Sequence, residues 1–146
     1  MPLSDQERAE KSVATLWEND RASQSLGFKI ERVAPGEAVV SVKVDDDKLN
    51  GHYTCHGGII FSLADSAFGF ACNSYNKLVV GQHCTITYLV PGRGGDTLYA
   101  HAKETNRSGR TGVYDVVVSN QDGVELVHFR GVSRNIPGQH FEEDET

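Results

Sequence analysis

The stretch that decides the fold reads NGHYTCHGG at residues 50–58 and IIFSLADSAFGFACN at residues 59–73. The first part is a polar, glycine-rich loop, and the second is a helical segment that is apolar on nearly every side. A helix without a polar face is buried in a core rather than laid on a surface. Its one carboxylate is Asp65, and burying a carboxylate is costly unless a partner compensates its charge. We therefore predict that Asp65 is either a satisfied structural group or a functional one.

Small and polar residues form a seam along one side of this helix. The seam residues follow helical spacing and are Gly58, Ser62, Asp65 and Gly69. Such a seam allows either the close packing of a strand or the approach of a ligand. The spacing alone leaves both possibilities open.

The bulk properties of the chain indicate one globular domain over residues 1–146. Of these residues 38% are hydrophobic and 23% are charged, which suits a single core rather than a disordered chain. The net charge of −6 argues against nucleic acid as a partner, since phosphate binding favours a basic face. We recognise no signal peptide and no apolar run of the ~18 residues that a membrane span needs, so we expect a cytoplasmic protein without membrane contact.

The cysteines and histidines of the chain do not form a recognisable metal or disulfide pattern. Cys55, Cys72 and Cys84 are irregularly spaced and odd in number, which does not fit a disulfide framework. His52, Cys55 and His56 lack a fourth partner at zinc-site spacing. We therefore expect no bound metal and no cofactor.

The hydrophobic periodicity predicts an N-terminal helix, six strands and the central helix. Ser4 and Glu7 have the spacing of a capping box at the start of a helix over residues 4–24. An acidic tail over residues 138–146, with Glu142, Glu143, Asp144 and Glu145, is expected to be a solvated end. The predicted strands cover residues 28–34, 38–44, 78–89, 96–107, 111–120 and 124–136.

The order of these elements predicts an α+β fold. Four successive strands linked by hairpin turns after Asn73 imply an antiparallel sheet. One face of that sheet has to be buried, and the long apolar helix is the element that can cover it. We predict a hot-dog fold, in which a curved antiparallel sheet wraps around a long buried helix, with an extra N-terminal helix.

Several motifs together point to one family. The pattern from Asn50 to Asp65 combines His-Gly-Gly with Leu-Ala-Asp, and the strands add further matches. These are Ala71-Cys-Asn73, Cys84-Thr-Ile86, Pro91-Gly92, Gly95-Asp-Thr-Leu98, Thr111-Gly-Val-Tyr-Asp115 and Phe129-Arg-Gly131. Over about residues 28–137 the chain resembles the hot-dog acyl-CoA thioesterases of the phenylacetic acid degradation type, the PaaI family. The resemblance implies hydrolysis of phenylacetyl-CoA or hydroxyphenylacetyl-CoA type esters to the free acid and coenzyme A, in the degradation of aromatic compounds.

The start of the central helix is a candidate oxyanion site. The first backbone N–H groups of a helix lack internal partners, and glycine at positions 57 and 58 lets a substrate oxygen approach. A plain helix start would show the same residues, but the resemblance implies the oxyanion role for the Gly57 amide. Asp65 lies about 12 Å further along the axis, at ~1.5 Å per residue. If both residues act on one thioester, they must come from different subunits of a homodimer. The resemblance to hot-dog thioesterases implies such a site shared between two subunits. These enzymes often assemble two dimers into a homotetramer.

The remaining site residues have predicted roles in catalysis or in binding coenzyme A. We predict that Asp65 is the general base that activates water, with a nucleophilic role as the alternative. Asn50 would hold the carbonyl or the water, and His56 would fix the loop and hydrogen-bond near the leaving sulfur. For His56, a purely structural role remains equally open.

Two further features complete the predicted site. Gln82 or Thr85, on the strand facing the acid, could orient the attacking water. Phe61, Phe68 and Tyr88 are the candidates for the floor of the acyl pocket. The nucleotide end of coenzyme A would contact the turn formed by Arg107, Ser108, Gly109, Arg110 and Thr111, and Gly58 would contribute to substrate binding at the helix start.

Two other functions remain as alternatives from the sequence. A hot-dog dehydratase would need a histidine paired with an acid, and no histidine lies beside Asp65 on the helix. A non-catalytic acyl-CoA-binding module could keep the same pocket without needing the acid. Release of free thiol distinguishes the hydrolase from both alternatives.

Overall fold

The computed structural model describes residues 1–144 and shows three α-helices and six β-strands within that range. All six predicted strands are confirmed to within one residue at each end. A short 3-10 helix (Asp46–Lys48) precedes the glycine-rich loop. The elements are α1 (Asp5–Glu18), α2 (Arg21–Ser25), β1 (Lys29–Ala34), β2 (Glu37–Lys43), α3 (Gly57–Cys72), β3 (Val79–Tyr88), β4 (Thr97–Ser108), β5 (Thr111–Ser119) and β6 (Glu125–Asn135).

The strands form one antiparallel sheet in the order β1-β2-β4-β5-β6-β3. The predicted hairpins between β4 and β5 and between β5 and β6 are confirmed. The expected hairpin between β3 and β4 is wrong, because β3 lies beside β6 at the edge of the sheet. The connection from β3 to β4 contains Gly92 and is hydrogen-bonded to the loop before α3. There the Cys55 N–H donates to the Gly92 carbonyl (2.7 Å).

Helix α3 packs across the sheet and fills the core, as the apolar pattern predicts. Leu63, Ala64 and Ala67 are fully buried against the inward-facing residues of β2, β4 and β5. Alternate residues of each strand contribute to this core because successive side chains point to opposite faces of a sheet. The prediction that α3 is buried on every side is wrong for the single chain. Its seam of small and polar residues is open, and Asp65 is exposed.

The N-terminal segment forms two helices rather than the single predicted helix. The capping box is confirmed, since the Ser4 hydroxyl accepts from the Glu7 N–H and the Glu7 carboxylate accepts from the Ser4 N–H. The chain breaks at Asn19 because the Asp20 side chain accepts from the Ser23 N–H and starts a new helix. Gly27, with φ of +77°, then leads into β1.

The C-terminal segment folds back over the end of α3, contrary to the prediction of a solvated end. The Asn76 side chain accepts hydrogen bonds from the backbone N–H groups of His140 and Phe141. Glu143 forms an ion pair with Arg8 of α1 at 2.7 Å. Glu145 lies outside the described residues. Within residues 1–144, no helix is long and apolar enough to cross a membrane.

Candidate active site

The first turn of α3 presents one uncommitted backbone donor. The N–H groups of Ile59 and Ile60 both donate to the His56 carbonyl, and the Gly58 N–H donates to the His56 side chain. Among residues 1–144, no atom accepts a hydrogen bond from the Gly57 N–H. This donor lies at the positive end of the helix dipole, where a negative charge is stabilised. Of the first-turn donors, the predicted oxyanion residue is thus the one left free for a ligand.

His56 caps α3 and thereby fixes which amide is free. Its Nδ1 atom accepts from the Gly58 N–H at 2.9 Å, so in the neutral ring the proton is on Nε2. The exposed ring can therefore still donate from Nε2 to a bound molecule. The Gly58 amide, predicted to contact the substrate, is already used by this cap.

Asn50 and Gly57 line the same pocket, which has a volume of about 290 Å³. The Asn50 carboxamide oxygen accepts from the backbone N–H groups of His52 and Thr54, and its amide group donates to the Thr54 hydroxyl. Asn50 therefore holds the loop in shape, and its amide group has a second N–H available for a substrate. Tyr88 closes the pocket, since its hydroxyl donates to the Gly57 carbonyl at 2.7 Å.

Asp65 lies in a second, larger cleft of about 410 Å³ on the open side of α3. The cleft also contains the seam residues Ser62 and Gly69, so the seam faces a space for a ligand rather than a packed strand. Aromatic side chains from α3 and from the residue before β1 form its apolar walls: Phe61, Phe70 and Phe28. An acid therefore stands in a cleft whose walls suit an aromatic or apolar group.

The surroundings of Asp65 favour its neutral form. Partial removal from water raises the pKa of its carboxyl group, and the nearby Asp20 carboxylate raises it further. A carboxylate that binds a proton more readily is a better base, provided that the pH keeps it ionised. These are properties expected of a general base.

The structure places the two central catalytic candidates in separate clefts of the single chain. Gly57 lines the pocket beside Tyr88, whereas Asp65 lines the cleft beside α2. This agrees with the axial distance inferred from the sequence. One chain alone does not bring the acid to a carbonyl group held at its own Gly57.

Within residues 1–144, neither of the residues proposed to orient water lines the Asp65 cleft. Thr85 lies on the outer face of the sheet, in a depression with Asp115 and Arg130, and so points away from α3. Gln82 sits at a bulge in the pairing of β3 with β6 and is exposed. Cys84, between these two positions, packs against the core. The role of Gln82 or Thr85 in orienting water therefore stays a prediction.

The turn between β4 and β5 offers one free arginine rather than two. The Arg107 guanidinium stacks on the Tyr75 ring at 3.7 Å and pairs with Glu104 at 3.4 Å. The Ser108 hydroxyl donates to the Asn106 side chain, and Gly109 turns the chain with φ of +61°. Thr111 pairs with Ser108 across the start of the hairpin.

Arg110 instead lines a polar pocket of about 430 Å³ together with Lys77. Within residues 1–144, neither cation has a carboxylate partner within 4 Å. Lys77 was not predicted, because it lies in an irregular turn far from Arg110 in the sequence. The geometry favours Arg110, rather than Arg107, for contact with a phosphate group.

The three residues predicted for the floor of the acyl pocket lie in three different surroundings. Phe68 is buried against Tyr114 and Phe129 in the core, so its assignment to the acyl pocket is wrong. Phe61 does line the Asp65 cleft, and Tyr88 lines the Gly57 pocket. Helical spacing placed Phe61 and Phe68 on one helix but did not show which side the sheet would cover.

Comparison with known proteins identifies the family. The chain matches the thioesterase superfamily over residues 52–127. It is 44% identical to the acyl-coenzyme A thioesterase PaaI of Escherichia coli K12 over 131 residues, which cover 90% of this chain and 94% of that protein.

Solved structures agree with this assignment. The structure of E. coli PaaI, from the phenylacetic acid degradation operon, has a TM-score of 0.91 and 43% identity, covering 93% of this chain and 99% of that one. A hypothetical thioesterase protein from Streptococcus pneumoniae TIGR4, solved with coenzyme A, has a TM-score of 0.72 and 29% identity, covering 77% of this chain and 87% of that one. The chain therefore belongs to the thioesterase superfamily and is a hot-dog thioester hydrolase.

Proposed function

We propose that this thioesterase hydrolyses aryl-acyl-CoA esters of the phenylacetyl or hydroxyphenylacetyl type, at sites shared between two subunits. The observation that carries the proposal is the division of the site between two clefts. Asp65 stands in an aromatic-walled cleft, while the uncommitted Gly57 N–H lines another. The similarity to E. coli PaaI and to a coenzyme A complex supports an acyl-CoA substrate.

The edge strand β3 supports a dimer that would join the two clefts. This strand has one free edge, and large apolar side chains stand exposed along it and just after it: Val80, Tyr88, Leu89 and Val90. An exposed apolar sheet edge is usually paired or covered. An antiparallel pairing of β3 with its copy would bring the end of one strand, beside Gly57, towards the beginning of the other. We expect two such sites per dimer and an assembly of dimers into a homotetramer.

The chemistry follows from this arrangement. Asp65 takes a proton from a water molecule, and the water oxygen attacks the thioester carbonyl carbon. The carbonyl oxygen gains negative charge and accepts a hydrogen bond from the Gly57 N–H of the partner subunit. The C–S bond then breaks, and the coenzyme A sulfur leaves with the electron pair and takes up a proton. The products are the free acid and coenzyme A.

The walls of the Asp65 cleft favour an aromatic acyl group. Phe28, Phe61 and Phe70 provide ring edges and faces against which a phenyl group can pack. Among the described residues lining this cleft there is no histidine, which leaves a dehydratase without its usual partner for the acid. The nucleotide of coenzyme A would lie towards Arg110. The free thiols of Cys55, Cys72 and Cys84 fit a reducing compartment, and we propose the cytoplasm.

The test is the release of free thiol from a panel of acyl-CoA esters. We expect wild-type protein to hydrolyse phenylacetyl-type esters faster than straight-chain esters. We expect Asp65→Asn to lower kcat by about 10²–10⁴-fold, the usual contribution of a general base. Asp122→Asn, at an exposed turn that lines neither cleft, is the matched control and should keep full activity.

Each possible failure has a distinct meaning. Turnover that survives Asp65→Asn would keep the activity but discard Asp65 as the base. If the wild-type protein bound acyl-CoA esters without hydrolysing any of them, the function would be that of an acyl-CoA-binding module.

A further inference from the structure

A chain of hydrogen bonds leads from the N-terminal helices to the residue beside Asp65. The Asp20 carboxylate accepts from the Ser23 backbone N–H at 3.0 Å and from the Ser23 hydroxyl at 2.7 Å. The Ser23 and Ser66 hydroxyl oxygens are 2.8 Å apart. Ser23 is only 2% exposed, so this link is built into the packing of α2 on α3. The cap of α2 is therefore tied directly to the helix that carries the catalytic acid.

Asp20 and Asp65 line the same cleft. Among residues 1–144, the other titratable groups that respond to the charge of Asp65 are two thiols. Cys72 lies on α3 and Cys84 on β3, and the pKa of each is raised by burial and by the Asp65 charge. A thiol with a raised pKa is neutral at ordinary pH, so it adds no charge to the cleft.

The other elements packed on α3 add little charge to this cleft. From the N-terminal region, Leu16 and Phe28 contribute apolar side chains. The inward residues of β2, β4 and β5 are apolar except for Tyr114 and Glu104, and the Tyr114 hydroxyl donates to the Glu104 carboxylate, which does not line the cleft. Among residues 1–144, Asp20 is thus the charged group that shares the cleft with Asp65.

We propose that Asp20 is a positioning residue of the thioesterase reaction, a second carboxylate that is held in the cleft by Ser23 and Ser66 and sets the basicity of Asp65. The inference rests on the proposed role of Asp65 as general base. Two carboxylates in one partly desolvated cleft disfavour each other's charge. The Asp20 carboxylate accepts two hydrogen bonds from Ser23. Burial raises the pKa of Asp65, and the charge of the nearby Asp20 raises it further.

The charge of Asp20 shifts the pH dependence of the activity in one defined direction. Because Asp65 must be ionised to accept a proton from water, activity is lost as the pH falls through its raised pKa. Removing the Asp20 charge lowers the pKa of Asp65, so the acid limb of the profile of kcat/KM against pH moves to lower pH. Salt screens the interaction between the two carboxylates. Raising the ionic strength should therefore move the wild-type limb in the same direction.

The experiment compares wild-type protein with Asp20→Asn. Asparagine caps a helix about as well as aspartate and can still accept from the Ser23 N–H, so α2 is retained. Glu18→Gln is the matched control, since it removes one negative charge from the end of α1, outside the cleft. We expect the acid limb to shift to lower pH in Asp20→Asn, to lose its salt dependence there, and to stay unchanged in Glu18→Gln.

A second readout does not need turnover. In proteins labelled with ¹³C at the aspartate carboxyl carbon, the signal absent from Asp65→Asn identifies Asp65, and its NMR titration midpoint should fall in Asp20→Asn. Equal midpoints and equal acid limbs in wild type and Asp20→Asn would overturn the proposal. So would a uniform loss of kcat at every pH without a shift, which indicates a structural role. A shifted midpoint in a protein whose Asp65→Asn variant remains active would instead leave the electrostatic pair standing and reject the proposed catalytic role of Asp65.

Discussion

Gly131 on β6 has no room for a side chain. A methyl group built there would lie 2.7 Å from two ring atoms of Phe68, which is itself packed against Tyr114 and Phe129. Overpacking of a close-packed core typically costs about 1–3 kcal/mol. We predict that Gly131→Ala lowers the free energy of unfolding by that amount, as measured by urea denaturation.

A matched glycine gives the control for this prediction. Gly51 lies in the loop before α3 and has a negative φ, and a methyl group built there meets nothing within 4 Å. We expect Gly51→Ala to change the free energy of unfolding by no more than about 0.5 kcal/mol. A Gly131→Ala variant as stable as Gly51→Ala would show that Phe68 can move aside at no cost.

The sequence indicates the surroundings of some single residues and leaves those of others open. Gly57 and Asp65 could be selected as candidates because each stands out locally, one as a glycine at a helix start and the other as an acid in an apolar helix. Asp20 and Ser66 could not, because their link depends on how α2 packs against α3. Arg107 was placed on the correct turn, but its stacking on Tyr75 involves a residue 32 positions away in the sequence.

The elements themselves were largely predictable, and the exceptions share one cause. Periodicity located every strand, but it cannot show which strands become neighbours. It therefore missed the position of β3 beside β6. The break between α1 and α2 was missed because apolar spacing continues through Asp20, whereas α1 ends at its C-cap Asn19 and the Asp20 side chain caps α2.

The C-terminal segment is held to the end of α3 by a pH-sensitive contact. The His140 Nε2 atom lies 2.9 Å from the Asn73 carboxamide oxygen. A neutral ring with its proton on Nε2 can donate a hydrogen bond to that oxygen. Burial lowers the pKa of His140 below its usual value of 6.5. The folded protein therefore binds this proton less readily than the unfolded chain does. The stabilisation is fully present above pH 6.5 and is lost as the pH falls through the lowered pKa.

We predict that acidification from about pH 7 to pH 5 loosens this segment. The protection of the His140 and Phe141 amide hydrogens against exchange should fall, because their acceptor is the Asn76 side chain next to His140. Glu143 stays ionised in this range, since Arg8 lowers its pKa. His140→Gln can still donate to Asn73 but does not titrate, so its protection factors should not change. Equal losses of protection in both proteins would rule out His140 as the sensor.

At the scale of the whole molecule, Gly57 and Asp65 of one chain line separate clefts, which is why we propose that the site is shared between subunits. The axial length of α3 already implied this from the sequence, and the two clefts agree with it. The surface that we propose to join them, the free edge of β3, was not predictable because it depends on the strand order. A site divided between subunits makes a quantitative prediction for mixtures of inactive variants.

The two variants remove opposite halves of the site. Asp65→Asn removes the base, and Gly57→Pro removes the free N–H. Proline is tolerated at the first position of a helix, and His56 before it has φ of −57° and ψ of 131°, which a following proline allows. Gly57→Pro should therefore fold while losing roughly 10²–10³-fold in kcat. Gly57→Ala, which retains the N–H, is its control and should lose much less.

We predict that mixing the two inactive variants restores activity. In a heterodimer, one site combines both substitutions, and the other combines an intact Asp65 with an intact Gly57. If subunits exchange at random, half of the dimers are mixed and half of their sites are intact, so the mixture should reach about a quarter of wild-type activity. Co-refolding from urea ensures exchange, and mixtures of each variant with itself give the baseline. Recovery requires that the base and the oxyanion donor act from different subunits, because no recombination of chains can repair a site contained within one chain. A mixture that stays at baseline, although differently tagged subunits are shown to exchange, would reject the shared site.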